Sequence, residues 1–192
     1  MPVGGGAVHT SPVSPTIKHP GTAEIMTVAA GCFWGVEHIY RKHFGNGKGL
    51  IDAKVGYCGG SRVNPSYREV CSSETGHAEA LQISFDPTVV SYDTLIDFFF
   101  RMHDPTQSNR QGPDVGSQYR TAIFFHTPEQ EQIAKTVKER LQKSFYPGHP
   151  IVTEIVPMGT FWDAETYHQL YLHNNPSGYE CPTHFLRTTP MA

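Results

Sequence analysis

"EIMTVAAGCFWGVEHIYRKHFG", residues 24–45, changes its periodicity once, at a cysteine. The run 24–31 before it is short, apolar and closed by Gly31, which is the pattern of a strand entering a turn. After it, Phe33, Val36, Tyr40 and Phe44 fall at helical spacing, and Gly45 supplies a stop. Cys32 therefore stands at a strand–turn–helix junction, near unpaired backbone N–H groups and the positive end of a helix dipole. Both favour a thiolate, so a depressed thiol pKa is expected. Gly31 and Gly35 allow another group to approach the backbone closely. Phe33 and Trp34 are adjacent and cannot both face the core from one amphipathic helix, so at least one must line a surface or cleft.

Outward from this junction the pattern alternates. Strands are expected over 50–57, 77–87, 119–126 and 150–158, and helices over 91–105, 127–145 and 163–174. Thr127, Pro128 and Gln130 mark the start of the clearest helix. Residues 59–76 and 106–118 read as long loops, and no regular structure is expected beyond Asn175. Residues 1–23, rich in Gly, Pro, Ser and Thr, read as a disordered lead-in to a domain over 24–187. Adjacent strands mixed with strand–helix alternation predict an α+β fold, a two-layer ferredoxin-like sheet with packed helices.

The bulk properties exclude several classes. The formal charge is −3 and no Lys/Arg block exceeds two residues, which argues against nucleic acid and against a polybasic membrane anchor. No apolar run approaches the roughly 18 residues of a membrane span. Without a secretory pattern at the N-terminus, a cytoplasmic protein is expected, and a monomer. In that compartment Cys32, Cys58, Cys71 and Cys181 are free thiols or form a transient catalytic disulfide. No metal is expected. His77 and Glu79 form H-x-E without a following P-C-x-x-C, and Cys181 and His184 have ligand spacing without a second pair.

Other chemistry-bearing residues stand in informative places. Glu79 shares its strand face with Leu81, Ile83 and Phe85. Burial there would raise its pKa and favour the protonated acid, whereas a frayed strand end would leave it solvated. Tyr67 and Asp114 lie in the long loops, and Tyr119 opens a strand. Cys181 lies in a Gly/Pro-flanked tail, free to swing onto another sulfur as a resolving cysteine must.

Taken together, "GCFWG" (31–35), "PSYREVCSSETGHAEA" (65–80), "HDPTQSNRQGPDVGSQYRTAIF" (103–124) and "YHQLY" (167–171) resemble the A-type peptide-methionine (S)-S-oxide reductases. The match is co-linear over about residues 24 to 187. The resemblance implies that Cys32 attacks the sulfoxide sulfur, and that Glu79, assisted by Tyr67 and Tyr119, protonates its oxygen. Phe33 and Trp34 would hold the ε-methyl group and Asp114 the substrate side. Cys32 would become a sulfenic acid, Cys181 would resolve it to a disulfide, and thioredoxin would reduce that disulfide, with no cofactor. Some members carry two recycling cysteines in a glycine-rich tail; this chain has Cys181 alone, with Cys58 and Cys71 as the other candidates. A cysteine hydrolase would need a Cys–His pair, and a non-catalytic binder of oxidised methionine would not need Cys181.

Overall fold

The computed structural model describes residues 9–192. In chain order the elements are β1 (Glu24–Ala30), α1 (Phe33–Phe44), β2 (Leu50–Cys58), α2 (Tyr67–Cys71), β3 (Ala78–Phe85), α3 (Tyr92–Met102), β4 (Arg110–Gln111) and β5 (Asp114–Val115). They continue with β6 (Thr121–Phe125), α4 (Pro128–Ser144), β7 (Glu154–Pro157), β8 (Trp162–Asp163) and α5 (Tyr171–Asn174). The main sheet runs β7-β6-β1-β3-β2-β8. Its centre, β6-β1-β3-β2, has antiparallel neighbours throughout, which is the β-α-β-β-α-β plait expected from the sequence. β7 adds parallel to β6, and β8 adds antiparallel to β2.

The two faces of this sheet are covered differently. Met26, Val28, Val55, Leu81 and Ile83 face the helices and form the main core with Val36, Tyr40, Phe99 and Phe100. The opposite face carries Ala29, Ala78, Ala80 and Ala122 in a smaller cluster, with Thr27, Gln82 and Ser84 buried on the same side of their strands.

The N-terminal segment lies over this second face, and here the structure corrects the sequence reading. Residues 1–8 lie outside the described residues, but 9–23 form an anchored arm rather than a disordered lead-in. Ser14 N–H donates to Gln82 Oε1 at 2.7 Å, and Gln82 Nε2 donates to Pro12 O at 2.9 Å. Ser14 Oγ donates to Asp163 Oδ1 at 2.5 Å, and Ser84 Oγ donates to the Lys18 carbonyl at 2.5 Å. The arm satisfies buried polar groups of the sheet that no helix covers. Its partners are 66 to 149 residues away in the chain, so local composition cannot reveal them.

Two smaller differences bear on function. The 59–76 loop contains α2, whose start is a capping box: Ser66 Oγ accepts from Glu69 N–H, and the Glu69 side chain accepts from Ser66 N–H. The helix expected over 163–174 is broken into a 3₁₀ turn (Thr166–His168) and the single turn of α5, with Leu170 left-handed at φ 54°. Long-range bonds override helix propensity there. Gln169 pairs with both the N–H and C=O of Val55, and Leu170 N–H donates to Glu37 Oε1 at 2.8 Å. Among the described residues, no helix is long and apolar enough to cross a membrane.

Candidate active site

Cys32 is the N-cap residue of α1, as its sequence context requires, and it is buried. Its environment reverses the expected pKa. Burial pushes the thiol well above its ordinary value, and the charges of Glu79 and Asp114 push the same way; the Trp34 N–H opposes them without winning. The helix mouth offers donors, but one charge facing that mouth is a carboxylate, which the local strand–turn–helix pattern does not reveal.

That carboxylate is Glu79, on the central strand β3. It is 1% exposed, so the desolvated of its two possible settings is the observed one. Its Oε1 accepts the Phe33 N–H at 3.2 Å, while its Oε2 is buried without a partner. Burial raises the Glu79 pKa to about 8, against the Phe33 bond and with help from the Asp114 charge. At neutral pH Glu79 is therefore mostly the protonated acid, and in that form it stops opposing ionisation of Cys32. A protonated Oε2 is a donor with no acceptor among the described residues.

The aromatic residues form a wall beside this pair. Phe33 points into the core and Trp34 is only partly buried, which resolves which neighbour lines the surface. Trp34 stacks on Tyr171 at 3.7 Å between ring centroids and donates from Nε1 to His168 Nδ1 at 3.0 Å. His168 is the hub: its ring is 5.2 Å from Phe33 and 4.4 Å from Tyr67. Because Nδ1 accepts, the neutral ring carries its proton on Nε2, and burial lowers the His168 pKa to keep it neutral.

Tyr67 is set by Glu165, whose Oε2 accepts the Tyr67 N–H at 3.0 Å and whose Oε1 accepts the Tyr57 hydroxyl at 2.9 Å. Burial raises the Tyr67 and Tyr119 hydroxyls, and the Glu79 charge raises both further. Both remain neutral donors around Glu79 at physiological pH. Asp114, on the β4–β5 hairpin, accepts from the Tyr179 hydroxyl at 3.0 Å.

The tail comes back to the same corner. All four cysteines are free thiols. Cys181 has no regular structure around it, yet it is 2% exposed. Its Sγ lies 3.6 Å from the Gln111 carbonyl and 3.2 Å from Thr183 Oγ1. The Cys181 charge is one of the influences that raise the Cys32 thiol. Cys58 is fully buried in β2, opposite Ala78, and Cys71 is exposed at the end of α2.

Comparison with known proteins now decides the family. Residues 24–189 match the family profile described as peptide methionine sulfoxide reductase. The chain belongs to the peptide methionine sulfoxide reductase family. It is similar to the probable peptide methionine sulfoxide reductase of Schizosaccharomyces pombe, 54% identical over 164 residues, covering 85% of this chain and 96% of that one. The crystal structure of Mxr1 from Saccharomyces cerevisiae in reduced form matches with a TM-score of 0.87 at 46% identity, covering 92% of this chain and 99% of that one. Mxr1 in complex with Trx2 matches at 0.64 and 34% identity, over 92% and 99% of the chains.

For this reductase, sequence reasoning missed Tyr57, Glu165, His168 and Gln111. Only "YHQLY" carried a signal, and it pointed to His168 and Tyr171 without giving them a task. The rest are recruited by contacts more than 50 residues apart. Among the described residues, no group of three or more His, Cys, Asp or Glu side chains is placed to hold a metal ion.

Proposed function

We propose that this reductase converts the S epimer of methionine sulfoxide, free and in proteins, to methionine, with Cys32 as nucleophile, Glu79 as acid, Cys181 as resolving thiol and thioredoxin as final reductant. One observation carries the reading. Glu79 holds the helix mouth next to Cys32 through Oε1, while its Oε2 is buried with no partner. That is the position of a proton donor awaiting an acceptor, and a sulfoxide oxygen is such an acceptor.

The steps balance. Cys32 sulfur attacks the sulfoxide sulfur as Glu79 delivers its proton to the oxygen. The Cys32 proton joins the same oxygen, the S–O bond breaks and the oxygen leaves as water; water then attacks the Cys32 sulfur, the S–S bond just formed breaks, methionine leaves, and Cys32 becomes a sulfenic acid. The proton released by the attacking water restores Glu79. General acid assistance of this kind contributes about 10²–10⁴-fold. Tyr67 and Tyr119 donate to the same oxygen, Trp34 with Phe33 behind it receives the methyl group, and Asp114 orients the substrate side. The Cys181 thiol then displaces water from the sulfenic acid to form the Cys32–Cys181 disulfide. A thioredoxin dithiol reduces that disulfide by exchange. The complex of Mxr1 with Trx2, a fold relative, supports the last step.

The test uses the separated S and R epimers of a blocked methionine sulfoxide with thioredoxin, thioredoxin reductase and NADPH. The S epimer alone is consumed. Turnover of the R epimer at a similar rate, or of neither, overturns the proposal.

A further inference from the structure

We propose that His184 is a latch: it docks the tail onto the glycines that flank Cys32, and so holds Cys181 in position to resolve the nucleophile. The inference rests on Cys181 being the resolving thiol.

The docking is built from both sides. His184 is buried, and its Nε2 donates to the Ala30 carbonyl at 2.7 Å, at the end of β1 and two residues before Cys32. Gly35, one turn into α1, leaves room for the ring: a methyl group there would overlap His184 Nδ1. At Gly31, with φ +91°, a methyl group would lie 2.8 Å from the Gln111 side chain. Gln111 in turn grips the tail. Its Oε1 accepts from Thr183 Oγ1 at 2.9 Å, and its carbonyl faces Cys181 Sγ. The two glycines around the nucleophile thus serve the tail as well as the turn. Residues 181–184 are registered against them by one imidazole and one amide.

The latch works only in one protonation state. With Nε2 donating to Ala30, the neutral ring has a bare Nδ1, which is buried and has no partner. A proton on Nδ1 would be a donor pressed against Gly35 with no acceptor. The groups facing the ring are Asp114 of β5, Glu180 and Arg187 of the tail, and His103 at the end of α3. Burial outweighs the Ala30 bond and the charges of Asp114 and Glu180 and lowers the docked His184 below its ordinary 6.5, with Arg187 adding to the effect; His103 is itself held at about 3 and stays neutral. A depressed value means that docking is full above about 6.5 and is lost as pH falls below it, because the released tail binds a proton that the docked tail refuses.

The experiment is a rapid-quench single turnover of the full chain with one equivalent of the S epimer and no reductant. It compares wild type, His184→Ala and His184→Gln. Methionine formed, free thiols and a dimedone adduct on Cys32 are measured together, with peptide mapping of the disulfide. All three proteins give the same methionine burst. His184→Ala loses its second thiol roughly tenfold or more slowly, as the loss of a buried hydrogen bond implies, and its Cys32 sulfenic acid accumulates. His184→Gln, whose amide N–H can reach Ala30 but cannot titrate, restores the rate. Between pH 6.5 and 5, wild type slows relative to His184→Gln; the ionisation of Cys181 is common to both and cancels in the ratio. Thiol loss at the wild-type rate in His184→Ala, or a wild-type to Gln ratio independent of pH, overturns the latch. A wild-type disulfide from Cys32 to Cys58 or Cys71 would instead show that the resolving thiol was misassigned, and the latch falls with it.

Discussion

Cys32 and Cys181 are held by opposite kinds of structure. Cys32 is fixed by the backbone of a six-stranded sheet and the first turn of a 12-residue helix. Cys181 is fixed by a carbonyl, a threonine hydroxyl and the docking of its neighbour His184, in a segment with no helix or strand. Burial raises both thiols, so neither is stored as an activated thiolate. The difference lies in what holds each of them. A nucleophile that must meet a sulfoxide, an acid and a methyl pocket together needs a rigid place. A thiol that must approach a newly formed sulfenic acid and then expose a disulfide needs one that can be released, and the loop-closure cost of such an excursion grows slowly with length.

The sharpest way to break the contrast is at the rigid end. Cys32→Ser keeps the fold and abolishes reduction, because a serine oxygen is a far weaker nucleophile than sulfur and cannot be oxidised to a sulfenic acid. Residual activity of about a tenth or more, equivalent to a barrier change within about 1.4 kcal/mol, would mean that Cys32 is not the nucleophile. Next in size is Glu79→Ala, with a loss of about 10²–10⁴ in the single-turnover rate. In wild type the acid form is present below about 8 and disappears as pH rises through it, so the reductive step falls on the alkaline side. A mutant with near-normal rates would reduce Glu79 to a helix cap.

Burying Glu79 also weakens the fold, and that gives a smaller, purely thermodynamic check. The folded value of about 8 lies above the usual 4.5, so stability from this group is full below 4.5 and declines as pH rises towards 8. By pH 7 the decline is on the order of 3 kcal/mol. Glu79→Gln escapes it. Urea denaturation should show the variant gaining on wild type from pH 5 to pH 8, and a constant gap would contradict the burial. The smallest effect is expected far from both thiols. Ser14→Ala removes the arm's bond to Asp163 and costs about 1–3 kcal/mol in the same assay, without changing the single-turnover rate. An unchanged urea midpoint would mean that the arm is not anchored through Ser14.

These regions also differ in how far the sequence exposes them. The plait was legible because its strands and helices carry local periodicity, and Cys32 because a change of period marks its turn. Glu79 was half legible: period two placed it on the apolar face, but only the Phe33 bond and the sheet's depth show it desolvated. The thiol pKa differs from the expectation because the helix mouth is local, whereas the burial that dominates the shift is set by the whole fold and the carboxylate that adds to it comes from a strand 46 residues on. Glu165, His168 and His184 act through partners 98 to 154 residues distant, and no periodicity records such contacts. The arm over 9–23 was misjudged for the same reason: Gly, Pro and Ser content describes the inability to form a core, not the ability to cover one.

The central claim is that a rigid thiol does the chemistry and a docked, releasable one completes it. The most direct measurement is a thiol count with peptide mapping on wild type and Cys181→Ser, before and after one equivalent of methionine sulfoxide without reductant. Wild type should form one methionine, lose two thiols and yield a linked peptide joining Cys32 to Cys181. Cys181→Ser should form one methionine and give a dimedone adduct on Cys32. A linked peptide from Cys32 to Cys58 or Cys71, or methionine formed with no loss of thiol, would contradict the account.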